Sequence, residues 1–355
     1  MKGLLQKLKI SKIEFFLILG FFISAYSFSI TISSCYRYYR IAVESNKFYD
    51  DYLLTTLISK DSALNLSDYI KSFTDNDIND FSLNPIASHG EQKNVMTFNK
   101  VFLAGDGFDI TKYADISGRY LNKDELKSNK KLAVIGEASN QYSIRHDDKS
   151  YVQLFNDLYE ITGVIRNSNF FIDTSIIPIM SLGFEASTYE SLSFLVNKTH
   201  FNSLKNLENS SLHISFKEIP QKSIVKYIVD NVPNFKEISY EIYLGLINLV
   251  LFSFFFANSI KSKIAIMKVL GAKNTDIFKE LLSSILKLST TGIVLGLLSS
   301  YITIHFMSTA FPRTYSPLGI TNISITFLIV YLISILVSIG ILFNVMKFKL
   351  MKDIR

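Results

Sequence analysis

Asn258-Ser-Ile-Lys-Ser-Lys-Ile-Ala-Ile-Met-Lys-Val-Leu-Gly271-Ala-Lys-Asn-Thr-Asp-Ile-Phe-Lys-Glu280 is a lysine-studded break between two apolar runs. Lys261, Lys263, Lys268, Lys273 and Lys279 stand there against only Asp276 and Glu280. Short loops rich in Lys are retained on the cytoplasmic face, so the flanking runs read as membrane helices joined inside.

Around this break, the apolar stretches 242–257, 284–307 and 323–346 become transmembrane helices 2, 3 and 4, with 258–283 as the cytoplasmic segment between the first two. The 242–257 stretch is short for a bilayer core of about 30 Å, so its helix is expected to extend into its flanks. The loop 308–322 holds Pro312, Arg313 and Pro317 and suits an outside position, whereas the tail 347–355 carries Lys347, Lys349, Lys352 and Arg355 and returns inside.

At the other end, residues 13–34 form an apolar run preceded by Lys2, Lys7, Lys9 and Lys12 in a cytoplasmic N-terminus, residues 1–12. The run exceeds a usual signal-peptide core and leads into Tyr36-Arg37-Tyr38-Tyr39-Arg40 without a small-residue cleavage site, so it reads as a retained transmembrane helix 1. Cys35, the single cysteine, excludes an internal disulfide framework.

Between these parts, residues 40–239 turn polar, with short apolar runs between turn signals. Lys131-Leu-Ala-Val-Ile-Gly136 and Tyr159-Glu-Ile-Thr-Gly-Val-Ile165 read as strands, and Ser67–Phe73 and Gln221–Val229 as helical patches. The fold class that follows is an integral membrane α-helical protein with four transmembrane helices and a large extracytoplasmic α+β domain inserted between the first and second. A composition of 48% hydrophobic and 19% charged residues agrees with it. The net charge of +6 is gathered largely beside the apolar runs, which points to membrane lipid and argues against nucleic acid.

Signatures of catalysis are missing from the sequence. There is no Gly-x-x-x-x-Gly-Lys-Ser/Thr loop, Gly105-Asp-Gly107 reads as a turn, and no Gly-x-Ser-x-Gly elbow occurs. The histidines are scattered singly, and His146-Asp147-Asp148 reads as a solvated loop, so no metal or cofactor is assigned to this chain. Ionisable residues avoid the span centres, which argues against a proton-driven carrier. Gly292 and Gly296 share one helix face and would let another backbone come close.

The opening segment resembles the MacB/FtsX-like family of ABC transporter permeases. That family joins its second and third spans by Arg-x-x-Glu-Ile-Gly-Ile-Leu-Arg-Ala-Leu-Gly-Ala, and Lys263-Ile-Ala-Ile-Met-Lys-Val-Leu-Gly-Ala272 stands in the same register. Ile277 and the pair Gly292 and Gly296 continue the match. Fainter echoes of the family's external domain follow in order: Gly118-Arg119 with Asp124, Ala133–Gly136, Ile161–Ile165 and Ile176–Pro178. The family's Glu is Lys263 here, its Gly is Ala265, its leading Arg falls at Ile260 and its acidic residue of the early third span at about Ser284.

The resemblance implies a non-catalytic permease subunit in the bacterial plasma membrane, with both termini cytoplasmic. A separate cytoplasmic ABC ATPase would use ATP and Mg, and Lys263, Ile264, Ile266, Lys268, Leu270, Gly271, Ala272 and Ile277 would couple to it. It implies a homodimer, or a heterodimer with a related permease, and mechanotransmission: ATPase closure reshapes the external domain to export or extract a peptide, lipoprotein or lipid-linked compound. Two alternatives stand beside it. One is an FtsX-like regulator that acts on a cell-wall hydrolase through an external protein partner; the other is a membrane-anchored sensor without an ATPase. In the second, the Lys-rich segment is an ordinary basic membrane-surface helix.

Overall fold

A computed structural model describes residues 12–60, 62–92, 95–183, 187–208, 212–232, 235–310 and 315–346. Lys2, Lys7 and Lys9 of the N-terminal flank, Pro312 and Arg313, and the basic tail lie outside the described residues. The chain divides into two compact units, residues 1–37 with 228–355, and residues 38–227.

The first unit is helical. Helix α1 runs Lys12–Asp50, so its last turns belong to the second unit. In the second unit, α2 spans Leu66–Thr74; Ile224–Asn231 forms α3, which straddles the division between the units. Three long helices follow: α4 at Phe235–Val269, α5 at Asn274–Ala310 and α6 at Ile320–Met346. Among the described residues, two stretches are long and apolar enough to cross a membrane, Glu14–Asp50 and Asn274–Ala310, and Ile320–Leu336 adds a shorter apolar run.

Helix ends depart from the apolar windows in the sequence. The 13–34 run continues to Asp50, the 242–257 run starts earlier and continues to Val269, and the 284–307 run begins at Asn274. The segment 258–283 is therefore no separate helix. It is the end of α4, a tight turn and the start of α5, because no Gly or Pro interrupts the chain between Ala257 and Gly271.

Leu17, Phe21, Ala25 and Phe28 of α1 are buried together with Phe256, Ile264, Ile285, Ile293 and Val330 of the other three helices. Hydroxyls stitch the same helices: Ser24 Oγ donates to the Gly245 carbonyl at 2.9 Å, Tyr26 meets Thr303 at 3.2 Å and Ser29 meets Thr326 at 3.4 Å. A hydroxyl away from water needs such partners, and small side chains allow the backbones to approach.

The second unit is α+β. Its strands are β1 (Tyr52–Ser59), β2 (Leu64–Asn65), β3 (Phe81–Gln92), β4 (Val95–Ala104), β5 (Asp115–Gly118), β6 (Leu132–Gly136) and β7 (Ile144–His146). Then come β8 (Lys149–Leu154), β9 (Asp157–Arg166), β10 (Thr174–Pro178), β11 (Thr188–Tyr189), β12 (Ser191–Asn197) and β13 (Leu212–Glu218). The main sheet has the order β13-β1-β12-β3-β4-β10-β6-β9-β8-β7, with β5 on β9, while β2 and β11 form a small second sheet. Pairs β10/β4 and β6/β9 are parallel and the remaining pairs antiparallel.

Alternation along the strands builds a core on each face. Val101, Leu103, Ile135, Ile177, Phe194 and Val196 point to one core, where α2 adds Leu66, Tyr69 and Phe73. Their neighbours Phe102, Ala104, Val134, Ile176 and Leu195 point to the other, where α1 delivers Phe48. Helix α2 is started by a capping box in which the Asp68 amide donates to Asn65 Oδ1 at 2.9 Å and Asp68 answers to the Asn65 amide.

Candidate functional site

The turn between α4 and α5 is built by a short run of residues. Gly271 adopts φ +82°, the left-handed region that closes helices. The Ala272 amide donates to the Met267 carbonyl at 2.9 Å and the Gly271 amide to the Lys268 carbonyl at 3.0 Å, which is the bond pattern of a Schellman motif. Met267 and Ala272 both pack on the helical core, supplying the apolar contact that accompanies this closure. A Cβ at Gly271 would meet nothing within 4 Å, so backbone conformation and not space demands the glycine there.

Helix α5 then starts at Asn274, ten residues before the apolar window that begins at Ser284, and Asn274 and Thr275 lie within its first turn. The Asp276 carboxylate reaches back to accept from the Lys273 amide at 3.3 Å. Its negative charge also suits the positive N-terminal end of the helix.

The two helices are held together by apolar and ionic contacts. Ile264, Ile277 and Leu281 are buried, and Lys263 Nζ meets Glu280 Oε1 at 2.9 Å across the junction. A shallow groove between the helices is floored by Phe256, Ile260, Met267 and Leu281 and edged by the Lys263–Glu280 pair.

This geometry divides the sequence-derived residues into two groups. Ile264 and Ile277 face inward and Ala272 is half-buried, so they hold the helices together. Ile266 and Leu270 are 61% and 80% exposed, Lys263 and Gly271 are exposed and Lys268 is half-buried, so these form the free tip. Val269, 67% exposed, belongs to the same tip, and Glu280 is the partner of Lys263. An apolar residue at a helix end signalled Val269, but the Lys263–Glu280 pairing follows from the antiparallel return of α5 and has no local signal. Around the apolar tip, Lys268, Lys273 and Lys279 stand outside the ion pairs of the described residues.

Farther along α5, Gly292 and Gly296 lie against α1. A Cβ on Gly292 would come within 2.6 Å of Phe21 Cβ and 2.7 Å of the Ile18 carbonyl oxygen. One on Gly296 would come within 2.7 Å of the Phe22 carbonyl oxygen and 2.8 Å of Ala25 Cβ. Here absence of a side chain is the requirement, because two helix backbones pass in contact. Among the described residues, no group of three or more His, Cys, Asp or Glu is placed to hold a metal ion.

Residues 242–350, which contain this turn and the glycine pair, match the family described as FtsX-like permease C-terminal. That stretch resembles an FtsX-like permease domain. That match agrees with the resemblance carried by Lys263–Ala272. Among solved structures the chain is similar to the periplasmic region of MacB from Actinobacillus actinomycetemcomitans, at 13% identity and a TM-score of 0.32 over 50% of this chain and 92% of that one. It is also similar to the extracellular domain of the noncanonic ABC-type transporter YknZ from Gram-positive bacteria, at 12% identity and a TM-score of 0.33 over 50% of this chain and 94% of that one. No curated protein matches the chain in sequence.

Proposed function

We propose that the chain is the permease subunit of a MacB-like ABC transporter, and that the α4–α5 tip docks on a separate cytoplasmic ATPase. One observation carries this reading: an FtsX-like domain presents exposed Ile266, Val269 and Leu270, ringed by lysines, on a turn made rigid by the Gly271 closure and the Lys263–Glu280 pair. An exposed apolar knob on a rigid support suits reception of a push from another protein.

In this reading residues 13–34, 242–257, 284–307 and 323–346, within α1, α4, α5 and α6, are four membrane spans with both chain ends inside, and residues 40–239 lie outside. ATP and Mg act in the partner subunit. Two permease chains, identical or related, face each other, and closure of the ATPases moves the long helices and reshapes the external domains. The cargo is a peptide, lipoprotein or lipid-linked compound that bypasses the interior of the helix bundle. Lysines beside the spans also hold anionic lipid.

The test is affinity purification of the detergent-solubilised protein beside its Lys268→Glu, Gly271→Pro variant. Proline cannot take φ +82° and lacks the amide that bonds to the Lys268 carbonyl, so the closure is lost. A nucleotide-binding subunit is expected with the wild type and absent from the variant at equal membrane abundance. Retention of the ATPase by the variant would remove the tip from the coupling role, and its absence from both would favour an anchored sensor.

A further inference from the structure

The final turns of α1 lie in the external unit, and one carboxylate there gathers several donors. Glu44 accepts from the Asn169 amide at 2.7 Å, the Phe170 amide at 3.0 Å, Ser168 Oγ at 3.0 Å and Asn169 Nδ2 at 3.1 Å. Arg40, one turn back, adds Nε at 2.9 Å and Nη2 at 2.8 Å. Bonds from N–H groups to an ionised acceptor are among the stronger kind.

Those donors sit on the turn from β9 to β10, which begins at Asn167 with φ +56°. The turn feeds β10, which lies between β4 and β6 in the middle of the sheet. One helical turn beyond Glu44, the fully buried Phe48 sets its ring tilted to that of Phe170 and edge-to-face with that of Phe171, at centroid separations of 5.7 and 5.3 Å. The same turn is therefore held from α1 by a polar grip and an aromatic one.

We propose that Glu44 is a positioning residue whose carboxylate makes the end of α1 and the Ser168–Phe171 turn one rigid piece, so that displacement of α1 is delivered to the central strand β10. This rests on the reading that α1 moves during coupling. Burial alone would raise the Glu44 carboxyl, but the amides of Phe170 and Asn169 and the Arg40 guanidinium outweigh it and hold the group below its usual range. The carboxylate is thus ionised at neutral pH.

The test uses the full chain in lipid nanodiscs, with Cys35→Ser and nitroxides on Lys47→Cys in α1 and Leu158→Cys near the start of β9, both exposed positions. Wild type and Glu44→Gln, whose amide oxygen still accepts from the turn, should give one narrow distance distribution. Glu44→Ala should broaden it and speed hydrogen exchange at the Asn169 and Phe170 amides roughly 10- to 100-fold. Glu44→Asp keeps the charge but withdraws it by one methylene, and should broaden the distribution likewise if the alanine variant does not fold. A distribution as narrow in Glu44→Ala or Glu44→Asp as in wild type would overturn the proposal. Neither readout needs the ATPase, so failure here is distinct from failure of the docking reading.

Discussion

Lys100 is the residue whose setting has the clearest measurable consequence. Its ammonium donates to Tyr49 Oη at 2.9 Å and lies 4.5 Å from the Phe170 ring centroid and 5.0 Å from that of Phe102. Burial, with Lys222 nearby, pushes its pKa down to about 8, against a small opposing pull from Asp173. The unfolded chain therefore binds the proton more tightly between about 8 and about 10.4, so this group's contribution to stability rises as pH increases through that window. Lys100→Met should accordingly be more stable than wild type at pH 7 by roughly 1–2 kcal/mol, with the gap closing toward pH 10, as read by thermal unfolding of the detergent-solubilised chain. Gly271 was legible at this scale, because a glycine after a helical run predicts the left-handed closure that the structure has. Lys100 and Glu44 were not, since their partners lie 51 and 125 residues away in the chain and nothing local marks them.

Among the elements, the contact of α5 with α1 depends on Gly292 and Gly296. Gly296→Val places a branched side chain where a single Cβ would already lie 2.7 Å from the Phe22 carbonyl oxygen and 2.8 Å from Ala25 Cβ, both fixed parts of α1. The expected loss is about 1–3 kcal/mol, seen as a lower thermal midpoint and yield in detergent, with Val294→Ala on the exposed side of α5 as the neutral control. The glycine spacing indicated that some backbone would come close, but only the folded chain shows that it is α1. Each apolar window lies inside a longer helix, because hydropathy reports what lipid or core will accept, whereas a helix continues until Gly, Pro or a cap stops it. In the α+β unit, the strands around 131–136 and 159–165 and the helices near 67–73 and 221–229 overlap β6, β9, α2 and α3, whose alternation or periodicity is local. The order of strands was not legible, since β1 pairs with β12 and β13 through contacts between distant parts of the chain.

For the molecule as a whole, the chain divides into a helical unit and an α+β unit, and residues 242–350 of the helical one match the FtsX-like family. In the proposed mechanism the α4–α5 tip receives a push, the long helices carry it, and the end of α1 hands it to the sheet through Glu44 and Phe48. The α4–α5 segment departs from the pattern it resembles at Lys263, whose pairing with Glu280 gives that departure a structural use. Everything in this mechanism depends on the tip docking on an ATPase. Photocrosslinking in intact cells probes that contact itself, with a benzophenone amino acid at Leu270 and, as control, at the buried Ile264. An adduct between the Leu270 derivative and a cytoplasmic nucleotide-binding subunit is expected, and none from Ile264. Adducts from Leu270 to lipid alone, with no nucleotide-binding protein captured, would refute the docking.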